Sequence, residues 1–144
     1  MEDRSPAQVF ALVIGITLVA AGILGFFYSA SFGTGDGTER DAVLGILDVN
    51  AWHNLVHLAS GVIGLAVVRS YTGARTYALA FGAVYTVVTI LGFIAGDGEE
   101  ILNIIPINTE DNFLHLLLAI AGIGAGLATP ARDRLAARPR TEVA

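Results

Sequence analysis

Residues 53–58 read HNLVHL, and residues 111–116 read DNFLHL. Each opens an apolar run, and the offset of 58 that relates them continues upstream, where LGILDVN at 44–50 aligns with LNIIPIN at 102–108. Closer to the N-terminus the chain again aligns with itself, now at an offset of 67: ALVIG at 11–15 with ALAFG at 78–82, and ILGFF at 23–27 with ILGFI at 90–94. The drop from 67 to 58 makes the first intervening loop nine residues longer than the second. The pattern predicts two copies of one unit: a helix, a loop carrying a short apolar segment, and a second helix.

The runs themselves decide the environment. Four apolar stretches, 8–28, 51–68, 76–95 and 111–129, carry no Asp, Glu, Lys or Arg in their interiors. Each approaches the ~20 residues that cross the hydrocarbon core at about 1.5 Å per residue. The chain of 144 residues is 54% hydrophobic and 15% charged, with a mean hydropathy of +0.67, whereas a soluble domain is about a quarter charged. In lipid each span must satisfy its own backbone hydrogen bonds, so helices are expected despite the many Val, Ile and Thr. The expected fold is therefore all-α, a bundle of four transmembrane helices. Residues 8–129 form one domain (repeat 1, 8–68; repeat 2, 76–129), flanked by an N-terminus of residues 1–7 and a charged tail of residues 130–144.

Charge sets the orientation. Arg4, Arg69, Arg75, Arg132, Arg134, Arg138 and Arg140 flank the chain ends and the middle connection. Eight of the thirteen acids fall in the other two connections, among them Asp36, Asp48, Asp97 and Glu100, and a ninth, Asp111, opens the fourth run. By the excess of bases on the cytoplasmic side, both termini lie in the cytoplasm of a multi-pass plasma-membrane protein, and loops 29–50 and 96–110 face outward. Each unit crosses twice, so the two copies enter in the same sense and equivalent residues share a depth. The short apolar pieces Val43–Leu47 and Ile101–Ile105 are expected as half-turns or short helices on the outer surface. A cleaved leader is the alternative for the first span, but its run exceeds the usual apolar segment of a signal peptide.

The polar residues at the mouths of the second and fourth spans form the candidate site. Asn50 and Asn108 suit N-caps. His57 and His115 lie seven residues further on, about 10 Å below the helix start. His53 shares a helical face with His57, as Asp111 does with His115, and Asn54 and Asn112 flank them. Two readings stay open. In one, the layer fixes register between the halves through interhelical hydrogen bonds, with Thr89 and Tyr85 of the third span as partners. In the other, His53, His57, Asp111 and His115 bind zinc or copper, or His57 and His115 hold haem. Ser60 with Gly64, and Gly122 with Gly126, supply small surfaces for close helix packing, within the chain or in a homodimer.

VNAWHNLVHLASGVIGL at 49–65 and INTEDNFLHLLLAIAGIGAGL at 107–127, with the Tyr77–Gly82 and Ile90–Phe93 stretches, resemble the DUF4383 proteins, small four-helix bacterial membrane proteins. The resemblance covers nearly everything from residue 8 to 128 and implies the fold and the membrane location, but no activity. Cysteine and lysine are absent, which excludes thiol nucleophiles, thiolate metal sites, disulfides and Schiff bases. No nucleophile elbow, phosphate loop or dinucleotide fingerprint is present, and nothing suggests nucleic acid as a partner. The expected role is that of a non-enzymatic structural module that binds lipid and a membrane-protein partner or a second copy. An outer-face metal- or haem-binding protein is the alternative, and a subunit of a channel or transporter a third.

Overall fold

A computed structural model of the chain describes residues 4–131; most of the arginine-bearing tail, expected in the cytoplasm, lies outside them. Four helices make up most of the fold: α1 (Pro6–Phe26), α2 (Ala51–Val67), α3 (Tyr71–Ala95) and α4 (Thr109–Ala128). Each start has a local cause. Ser5 and Gln8 form a capping box ahead of α1, with Pro6 in its first turn, where a missing N–H costs nothing. Asn50 and Asn108 accept from His53 N and Asp111 N, each at 2.9 Å. Ser70 accepts from Gly73 N at 3.0 Å, so α3 begins at Tyr71 rather than at residue 76 as expected. This cap extends the helix back through Arg75 and shortens the expected connection to its first residues. α1, α3 and α4 are long and apolar enough to cross a membrane, and α2 is a shorter apolar helix of 17 residues.

The expectation of an all-α fold fails in the loops. Instead of half-turns or short helices, the two apolar segments are β-hairpins: β1 (Asp41–Val43) pairs antiparallel with β2 (Leu47–Val49), and β3 (Glu100–Ile101) with β4 (Ile105–Pro106). The turns explain the difference. Leu44 and Gly45 have φ of 55° and 71°, and Leu102 and Asn103 have φ of 55° and 56°. Gly and Asn tolerate that left-handed backbone, and β-branched residues on either side suit strands. A Gly or Asn in the same position of both copies was the signal for a hairpin turn.

The helices associate as two antiparallel hairpins, α1 with α2 and α3 with α4, which then pack together. Close approach is made by the same positions in each. A Cβ on Gly15 would meet Leu65 and Gly61 O, and one on Gly82 would meet Ile123 and Ala119 O. These pairs are related by the offsets of 67 and 58 found in the sequence. Gly64 faces Ala11 O, while Gly122 faces Ala78 O and Gly126 faces the Leu79 side chain, so both members of the GxxxG pair are used within the chain. The core between the hairpins holds Phe10, Leu18, Tyr77, Phe81 and Tyr85. Large apolar side chains such as Val13, Ile16, Val87, Leu117 and Ile120 are exposed, while Asn50, Asn54, Asp111, Asn112 and His115 are buried. This is the reverse of a soluble protein's distribution.

Candidate metal centre

The caps that start α2 and α4 also join the two halves. While Asn50 Oδ1 caps α2, its Nδ2 donates to Ile104 O of the second hairpin loop at 2.6 Å. Asn108 does the same in reverse, donating to Ile46 O of the first loop at 2.7 Å. Each helix start is thereby fixed to the turn of the other half. The first loop adds further ties: Gly35 N donates to Asn103 O at 2.8 Å, and Arg40 donates to Gly98 O while its Nε lies 3.9 Å from Asp48.

Asn54 and Asn112, one turn in, anchor each hairpin from within. The Oδ1 of Asn54 lies where a Cβ of Gly25 would be, and that of Asn112 where a Cβ of Gly92 would be. Neither oxygen has a conventional hydrogen-bond donor. Each rests against a glycine Cα–H, a weak C–H···O contact that recurs in both halves. Asn54 Nδ2 donates to Ser29 O at 2.9 Å.

Between these anchors three histidines converge. One ring nitrogen each from His53, His57 and His115 lie within 4.8 Å of one another, and the ring centroids stand 4.4, 5.9 and 6.4 Å apart. His53 and His115 are each 3% exposed. His53 Nδ1 is 2.9 Å from Asp48 O. A carbonyl can only accept, so Nδ1 carries the proton and Nε2 keeps its lone pair. That Nε2 is buried without a partner, as is Nδ1 of His115. A buried polar atom left unpaired costs about 1–3 kcal/mol, and this trio holds two of them.

Asp111, expected among the ligands, is not one of this group. Its Oδ2 accepts from Asp48 N at 3.1 Å, so the backbone of Asp48 binds His53 through its carbonyl and Asp111 through its amide. Tyr85 and Thr89, expected as hydrogen-bonding partners of the layer, do not act as such. Thr89 Oγ1 donates to Tyr85 O of its own helix at 2.7 Å. The Tyr85 ring packs edge-on to His115 at 5.2 Å, with its hydroxyl unpaired. Ser60 contributes through its backbone, its carbonyl accepting from Tyr77 OH at 3.1 Å. The histidines separate two crevices. One, of about 200 Å³, lies between α1, α4 and the first β-hairpin. The other, of about 80 Å³, lies between α2, α3 and the second. Sequence reasoning could not find the role of the Asp48 backbone, because only folding brings that strand over α2 and α4.

No curated protein and no solved structure matches the chain. A family described as a domain of unknown function, DUF4383, matches over residues 8–128, which takes in all four helices except the first two residues of α1, both β-hairpins and the histidine trio. The chain belongs to the DUF4383 family.

Proposed function

We propose that this is an integral membrane protein of four spans that holds one transition-metal ion, zinc or copper, at His53, His57 and His115. The observation that carries the proposal is the hydrogen bond from His53 to Asp48 O. A metal-binding histidine nearly always donates its second N–H to a carbonyl or carboxylate, which fixes the tautomer and aims the free nitrogen at the ion. Around a tetrahedral ion with bonds of about 2 Å, ligand nitrogens stand about 3.3 Å apart. The trio, within 4.8 Å, reaches that spacing by small side-chain rotations. Three imidazoles leave a fourth position open. Haem is disfavoured because the crevices of about 200 and about 80 Å³ hold an ion and a small ligand, not a porphyrin.

Four crossings follow from α2 keeping pace with α1. Asn54 meets α1 at Gly25, Gly61 meets it at Gly15 and Val19, Gly64 at Ala11, and Val68 O accepts from Gln8 Nε2. Seventeen residues thus run beside nearly the whole first span. The recurrence of equivalent contacts supports a duplicated hairpin unit, threaded twice in the same sense, with the histidines near the outer face. A second reading has its own support. The reciprocal Asn50 and Asn108 bonds already lock the halves together, so the layer also serves as a structural clasp, and the module acts through a partner.

Metal analysis of protein purified in detergent without chelators separates these readings. Near one zinc or copper per chain is expected, lost in His57→Ala and in His115→Ala while both variants stay folded. A preparation that takes up no metal even after incubation with zinc and copper salts leaves the clasp alone standing.

A further inference from the structure

The two crevices flanking the trio are equivalents that differ at one informative place. Thr17, Leu18 and Ala21 line the larger; Val84, Tyr85 and Val88, each 67 residues on, line the smaller. Val43 and Leu47 of the first β-hairpin correspond in the same way, at 58, to Ile101 and Ile105. Where one crevice has Leu18 and Ala21, the other has the bulkier Tyr85 and Val88, and the two measure about 200 Å³ and about 80 Å³. The chain therefore places a phenol ring of its own beside His115 on one side, 5.2 Å between centroids, and leaves the equivalent space on the other side open.

The open crevice has properties that select its occupant. An apolar cavity of about 150 Å³ already accepts benzene, so about 200 Å³ takes one substituted ring. Leu24 and Leu114 at its margin are 46% and 38% exposed, on a bundle surface of apolar side chains, so a ligand enters from the lipid phase with any tail left there. His53, His57, His115 and Asp111 line one part of the crevice, and His53 Nε2 and His115 Nδ1 are buried without a partner, on residues only 3% exposed. We infer that this crevice binds a lipid-soluble phenol: a single hydroxylated ring with an apolar tail. Its hydroxyl oxygen takes the fourth position on the ion held by His53, His57 and His115. The Asp111 carboxylate is placed to accept the hydroxyl's hydrogen. This inference rests on the metal-centre reading.

Cobalt(II) loaded into the purified protein provides the probe, because its visible bands report coordination. Titration with 4-hexylphenol in detergent should shift those bands saturably, and hexylbenzene, which lacks the oxygen, should not. Leu18→Tyr copies the filled crevice into the open one and should weaken the phenol response at least tenfold while cobalt stays bound. If that variant loses cobalt, Leu47→Phe closes the same crevice from the hairpin side and should give the same weakening. Cobalt bound with bands unmoved by the phenol overturns the inference and leaves the metal centre intact. An equal response in the crevice-filling variant overturns it too. Failure to bind cobalt, zinc or copper removes the metal centre itself, and the phenol site with it.

Discussion

Asn112 and Gly92 show how much one missing methyl group decides. The Asn112 side chain occupies the space where a Cβ at position 92 would stand, and Asn54 does the same over Gly25. Gly92→Ala should therefore destabilise the protein by about 1–3 kcal/mol, the usual cost of overpacking a filled site. Asn112→Ala should cost less. Combined, the two should cost less than their sum, because the second change removes the atom the first collides with. Unfolding of the three variants in detergent checks this, and strict additivity would mean the asparagine is not what excludes the methyl. Both asparagines were legible in the sequence as a polar layer. Their glycine partners were not, because they lie on the preceding helix and only the packing distance pairs them.

The β-hairpins belong to the scale of elements. Leu44 and Leu102 adopt φ of 55° although they are not glycine, and they are 74% and 77% exposed. Such backbone costs a side-chain-bearing residue roughly 1–2 kcal/mol, and an exposed side chain returns little of that through burial. Leu102→Gly should thus raise the free energy of unfolding by about 1 kcal/mol, and Leu102→Val should lower it. A fall in stability for Leu102→Gly would show that the leucine side chain, rather than the turn, matters. The hairpins hold the carbonyls of Ile46 and Ile104 for Asn108 and Asn50, and β2 presents the Asp48 backbone to His53 and Asp111. The short apolar segments were visible beforehand, but their conformation turned on Gly45 and Asn103, single turn residues among helix-compatible neighbours.

For the whole molecule, the property that most needs testing is the proposed threading of both hairpins through the bilayer in the same sense. The absence of cysteine allows a direct test with single introduced thiols at exposed positions. Asp36→Cys and Glu99→Cys should both react with an impermeant maleimide applied to the outside of intact cells, and Thr72→Cys only after the membrane is opened. Opposite accessibility of positions 36 and 99 would rule out two copies inserted in the same sense. The proposed parallel insertion fits the histidine trio, since copies at matched depth would bring His115 level with His53 and His57, whose rings are in contact.

The sequence by itself determined the four apolar runs, the repeat with its two offsets, the asparagine caps and the candidate histidines. These follow from local composition and periodicity, which each segment carries alone. Only the tertiary structure decided that three imidazoles meet while Asp111 turns aside to the Asp48 amide, that Thr89 bonds its own helix, and that one of two equivalent crevices stays open. Those outcomes depend on distances between segments far apart in the chain, set by glycine contacts and by caps that reach across to the opposite half. No single segment contains that information.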